Sequence, residues 1–139
     1  GELIAAFLWA QMEEADAINK RRLGIWSTYH QWFAEAEKAG SLRRPVVPAH
    51  CGHNAHMYYL LLPGLERRTA FIERLKRADI HCVFHYIPLH SAPAGREFGR
   101  AHGDLAVTTE MADRLDRLPM WLGLEEIQAD VIQKVLGAL

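Results

Sequence analysis

Cysteine is scarce in this chain: Cys51 and Cys82 are the only two among 139 residues, too few for a disulfide framework. Nothing resembles a secretory signal, so the pair fits reduced thiols in a cytoplasmic setting. Long apolar runs are also missing. LIAAFLWA, Leu3 to Ala10, is the most hydrophobic opening stretch, but it lacks a basic leader and gives way at once to QMEEAD, which argues against export or membrane spanning. Charge of one sign is absent too, because Lys+Arg 16 against Asp+Glu 17 leaves no broad basic field for a phosphate backbone. Nucleic acid is therefore a poor partner on composition. There is no internal repeat and no low-complexity tract. With half its residues hydrophobic, the chain has enough apolar material for one globular core.

What is present is mostly helical periodicity. Leu3, Ile4, Phe7 and Leu8 paint one stripe, and Ile18, Ile25, Trp26, Tyr29, Trp32, Phe33 and Ala36 paint a longer one that stops at Gly40 and Ser41. An aromatic stripe of that kind reads first as core packing. RRPVVPAHCGHN, Arg43 to Asn54, is a connector broken by prolines and glycine. His56 to Leu62 reads as a buried strand closed by Pro63-Gly64, and Thr69 to Ala78 as an amphipathic helix with Phe71, Ile72 and Leu75 inward. A second strand is predicted over Ile80 to Tyr86, with Ile80, Cys82 and Phe84 in one row. Thr108 to Leu115 then predicts a helix, LPM a short extended piece, and Ile127, Val131 and Val135 a closing helix. This order gives a two-layer α+β domain, a small antiparallel sheet packed with helices. The chain opens on Gly1 and is inside an apolar pattern by Ile4, from which we expect further sequence upstream.

Candidate chemistry is thin. HCGHNAH spaces His50, His53 and His56 by three around Cys51, with Cys82 a further thiol, but it matches no closed zinc framework and reads better as a polar loop. Ser27, Ser41 and Ser91 lie in no nucleophile elbow, and Cys82 alternates with apolar residues as a small hydrophobe does. Glu13-Glu14 and Glu125-Glu126 suit solvated faces or helix beginnings. GREFGRAHG, Gly95 to Gly103, lacks the strand and helix that a phosphate loop requires. FHYIPLHSAPAG, Phe84 to Gly95, is the exception. Proline keeps Ile87 extended, so His85, Tyr86 and His90 project as the chain leaves the strand. From these residues alone, a ligand-holding loop and an ordinary strand end remain equal readings.

Taken in order, ELIAAFLWAQMEEAD, INKRRLGIWSTY, NAHMYYLLL, VFHYIPLHSAPAG and ADRLDRLPMW resemble the C-terminal domain of the DegT/DnrJ/EryC1/StrS sugar-nucleotide aminotransferases, from Glu2 to Leu139. The resemblance implies the small domain, with a helical lead-in, of an aspartate-aminotransferase-type fold whose large domain holds pyridoxal phosphate. It implies that residues 1–139 lack that large domain, with its Schiff-base lysine and the acid facing the pyridine nitrogen. Lys20, Lys38, Lys76 and Lys134 all sit in amphipathic patterns where a solvated ammonium is expected, unlike a Schiff-base lysine. No cofactor, metal or catalytic residue is therefore expected on this chain, and alone it should not transaminate.

For the whole enzyme the resemblance implies a cytoplasmic homodimer working by a two-step PLP/PMP cycle. Glutamate supplies an amino group for the C4 ketone of a dTDP-4-keto-6-deoxyhexose, in the service of cell-surface polysaccharide synthesis. His85, Tyr86 and His90 then become substrate-binding residues at the mouth of the site. The alternative is a stand-alone ligand-binding or dimerisation module without catalysis.

Overall fold

A computed structural model describes residues 1–139. Its elements run α1 (Glu2–Glu13), α2 (Ala15–Trp32), α3 (Ala34–Lys38), β1 (Tyr58–Leu61), α4 (Leu65–Arg77), β2 (Val83–Phe84), α5 (Pro93–Phe98), α6 (Ala106–Arg114), β3 (Leu115–Leu118) and α7 (Gln128–Ala138), with a 3-10 turn at Leu124–Glu126. The sheet order is β1-β3-β2 and both pairings are antiparallel, so the architecture is the α+β class expected from the sequence.

The long aromatic stripe makes the centre of the core. Ile25, Tyr29 and Phe33 recur at four-residue steps and are all buried, against Tyr58 and Leu60 of β1 and Val131, Ile132 and Val135 of α7. Two polar side chains that enter this layer, Tyr29 and Gln128, are satisfied there. Tyr29 donates its hydroxyl to the Pro119 carbonyl at 3.1 Å, and buried Gln128 donates its amide to the Ile25 carbonyl at 2.7 Å, tying α7 to α2. The predicted single helix breaks at Phe33, leaving α3 as a short extension that ends before Gly40.

Helix α4 starts four residues before the predicted Thr69, just after Pro63-Gly64, and its end is set by local chemistry. Asp79 adopts a left-handed φ of 62°, which turns the chain so that the Ile80 amide donates to the Leu75 carbonyl at 2.9 Å and the Asp79 amide to the Lys76 carbonyl at 3.2 Å. That is a Schellman closure, and the buried pair Leu75 and Ile80 packs across it.

The sheet departs from expectation at its centre. Leu115–Leu118, read as helix end and short extension, is instead the middle strand, pairing Tyr58 with Leu118, Leu60 with Asp116 and Phe84 with Asp116. Its inward row is Asp116 and Leu118, and a carboxylate in that row hides the strand's alternation. Strand β2 keeps only Val83–Phe84 of the predicted Ile80–Tyr86. Of the row Ile80, Cys82 and Phe84, the first two are buried and Phe84 is 43% exposed.

Helix α1 buries none of its side chains; Leu3, Ile4, Phe7, Leu8, Trp9 and Met12 are 58 to 80% exposed. An apolar stripe left open on this scale marks a surface made for contact. No helix is long and apolar enough to cross a membrane.

Candidate functional site

The segment after β2 is shaped by two unusual backbone features. Tyr86 has a left-handed φ of 57°, a conformation aromatic side chains seldom take, so it persists only where neighbours hold it. The holders are visible. The His85 ring meets the Tyr86 ring edge-on at 5.3 Å, and the Arg117 guanidinium lies 5.6 Å from the Tyr86 centroid. Beyond Pro88 the chain turns sharply: the Ser91 and Ala92 amides both donate to the Pro88 carbonyl at 3.0 Å, as does the Ser91 hydroxyl.

Gly95, in the first turns of α5, makes that turn possible. A Cβ placed there would lie 1.6 Å from the Leu89 carbonyl oxygen, so only glycine lets α5 pack against the loop's backbone. The stretch APAGREF, which reads as a break in the sequence, therefore contains a short helix begun by Pro93.

Opposite this segment stands α6. Between them lies an open, largely apolar hollow of about 510 Å³, walled by His85, Tyr86, Ile87 and Pro88 on one side and Val107 and Met111 on the other. Tyr86 is 70% exposed and Ile87 61%, so the hollow is a surface trough with one imidazole and one phenol at its edge. His90 does not line it. Its Nε2 sits 3.1 Å from the Thr109 hydroxyl, which pins the loop to α6. The structure thus brings His85 and Tyr86 together and sets His90 behind them as an anchor.

The middle strand carries a buried acid that the sequence did not announce. Asp116 is fully buried and neither carboxylate oxygen has a hydrogen-bond partner. Burial pushes its carboxyl up to about 7, against the opposing pull of Arg68 and then the lesser effects of Arg117 and Cys82. Cys82 beside it is pushed up in turn, by burial first and the Asp116 charge second. Arg68 of α4 reaches over Phe84, its guanidinium carbon 5.0 Å from the ring centroid, and donates from Nη1 to the Ala112 carbonyl at 3.0 Å. The only sequence signal for this cluster is Asp116 falling two residues before Leu118, and it emerges only once β3 is recognised.

The other candidates resolve into structural roles. His53 stacks edge-on to Trp26 at 4.7 Å, and His56 shares a 3.1 Å contact with Asn54. Cys51 is exposed while Cys82 is buried in the core, and no three potential ligands converge on a metal position. Glu125 accepts from Arg21 at 2.9 Å, which, with the Gly123 amide, brings its carboxyl down to about 2. None of the four lysines is buried or lines the hollow; Lys38 pairs with Glu35 and Lys134 with Asp130 at the surface.

Comparison with known proteins shows the family of the chain. Residues 1–136 match the DegT/DnrJ/EryC1/StrS aminotransferase family. Uncharacterized protein MJ1066 of Methanocaldococcus jannaschii is 34% identical over 116 residues, which is 80% of this chain and 29% of that one. Among solved structures, DesV of S. venezuelae superposes with a TM-score of 0.83 at 26% identity, covering 96% of this chain and 35% of DesV. A DegT DnrJ EryC1 StrS aminotransferase from Brucella abortus gives a TM-score of 0.80 at 24% identity, covering 96% and 34% respectively. The chain thus spans about a third of the length of these relatives. By the match along nearly its whole length, this chain belongs to the DegT/DnrJ/EryC1/StrS aminotransferase family.

Proposed function

We propose that residues 1–139 are the small C-terminal domain of a pyridoxal-phosphate-dependent sugar-nucleotide aminotransferase, and that the trough beside His85 and Tyr86 borders its substrate. The observation that carries this reading is the trough itself. It is an exposed apolar hollow, edged by His85 and Tyr86, in a chain whose family transfers amino groups and which covers a third of its relatives. The exposed stripe of α1 supports the same division, since the remainder of a longer polypeptide would cover it.

In this reading the reaction moves the amino group of glutamate to the C4 ketone of dTDP-4-keto-6-deoxy-D-glucose and releases 2-oxoglutarate. That would make the complete protein most like dTDP-4-amino-4,6-dideoxygalactose transaminase, a cytoplasmic homodimer. Pyridoxal phosphate, when bound, supplies the electron sink; its lysine lies outside this chain. The part played by this domain is positional. Tyr86 and Ile87 form an apolar wall that excludes water from the sugar, and His85 offers an imidazole to a sugar or phosphate oxygen. His90 shapes the rim through its hold on Thr109.

The test uses the complete polypeptide that carries this chain, supplied with glutamate and dTDP-4-keto-6-deoxyglucose. The expected results are a yellow chromophore that borohydride traps, amine transfer to the sugar, and a His85→Ala variant with a raised KM for the sugar and an unchanged one for glutamate. An uncoloured, inactive protein would reject the proposal.

A further inference from the structure

The trough has two walls on separate elements, and one side chain touches both supports. Arg68 projects from α4. Its Nη1 donates to the carbonyl of Ala112 near the end of α6, and its guanidinium lies over Phe84, the residue immediately before His85. Arg68 Nε is buried without a partner, and so are both carboxylate oxygens of Asp116. Arg117 Nε, on the same strand as Asp116, is likewise buried without a partner. Asp116 is paired in register with Phe84, the ring that Arg68 covers, so the carboxylate and the guanidinium approach the same cross-strand pair.

We propose that Arg68, lying over Phe84 and bonded to the Ala112 carbonyl, is a positioning residue that fixes the spacing between the His85–Pro88 wall and α6. A planar guanidinium suits the task because it stacks on an aromatic face while donating in its own plane, which an ammonium cannot do. The charged or titratable groups around Asp116 are Arg68 of α4, Cys82 just before β2, and Arg117 of its own strand. Of these, Arg117 stands under Tyr86 on the outer row of β3. Arg68 alone connects with both walls. Asp116 is ionised above neutral pH, so its attraction for Arg68 is strongest there and weakens as the carboxyl takes up a proton.

The role in substrate binding rests on the proposed function, but the spacing itself does not, and the two are read separately. The complete polypeptide carries a single 3-fluorotyrosine at position 86, and its fluorine resonance is followed from about pH 5.5 to pH 8.5 without substrate. In the wild type the resonance should move with a midpoint near neutrality, whereas Asp116→Asn should hold it at one position. Arg68→Met should displace and broaden it at every pH, and Arg68→Lys should not restore it. The inference is overturned if Arg68→Met and Arg68→Lys both leave the wild-type resonance and its pH response intact. If Arg68→Met does not fold, Arg68→Lys and Asp116→Asn decide the matter on the same criterion.

A KM measurement then links spacing to substrate. Arg68→Lys should raise KM for the sugar nucleotide by about ten- to a hundredfold, the scale of a misplacement near 1 Å, with the glutamate half-reaction unchanged within about twofold. A displaced resonance with an unchanged sugar KM upholds the positioning role and counts against the trough as the sugar site.

Discussion

Replacing Asp116 with Asn tests whether an unpaired carboxylate in the core governs this domain's response to pH. Asp116 is fully buried, lies in the middle strand, and is pushed from an ordinary 3.8 to about 7 mainly by loss of solvation. The sign follows from where each state releases its proton. The unfolded chain ionises near the ordinary value, whereas the folded chain holds its proton until near neutrality. Between those points the native state binds more protons, so stability falls as pH rises and then levels off above about 7. The step from 3.8 to about 7 corresponds to roughly 4 kcal/mol, a ceiling because relaxation of the site would reduce it. Urea unfolding of the chain and of Asp116→Asn, from about pH 4.5 to pH 8.5, isolates this contribution. Other titrating groups are common to both and cancel in the difference. The variant should gain on the wild type progressively through that range, by up to a few kcal/mol, and the gain should plateau on the alkaline side. A difference that stays constant with pH would refute the reasoning, because it would mean that Asp116 ionises alike in both states.

Other substitutions probe other parts of the fold. Gly95→Ala drives a Cβ into the Leu89 carbonyl, so it should cost about 1–3 kcal/mol in thermal unfolding and disturb the loop resonances around His90. Asp79→Gly relieves the left-handed cap of α4 and should raise stability by up to about 1 kcal/mol, seen as a small increase in Tm. Leu75→Ala opens a cavity at a fully buried position and should cost about 2–5 kcal/mol in the same measurement. Phe7→Ser lies on the exposed stripe of α1. It should change the stability of this chain by less than about 0.5 kcal/mol, while lowering the yield or Tm of the complete polypeptide if the remainder covers that stripe.

How far the sequence disclosed this arrangement depends on how locally each feature was encoded. The Ile25–Tyr29–Phe33 stripe and the Val131–Val135 spacing were readable because burial there follows helical period, and both sit in the core. Strand β1 was readable from its run of aromatic and aliphatic residues. The central strand was not, since Leu115-Asp116-Arg117-Leu118 mixes apolar and charged residues in both rows and continues directly from α6. Missing β3 also hid Asp116 and Arg117, whose positions beside the loop depend on pairing with β2. The projection of His85 and Tyr86 at the trough was legible because proline and the end of a strand announce it. The anchoring role of His90 was not, because Thr109 lies nineteen residues away and only the fold brings the two together. The short helix α5 was concealed by Pro93 and Gly95, which read as a break but serve as a helix start and a close approach.

The most direct test of the central claim is a crystal structure of the complete polypeptide with an unreacted dTDP-sugar bound. The account predicts the sugar against His85 and Tyr86, the trough closed by the rest of the protein, and the Leu3–Phe7 face of α1 covered. A sugar nucleotide bound elsewhere, with His85 open to solvent and α1 bare, would contradict it.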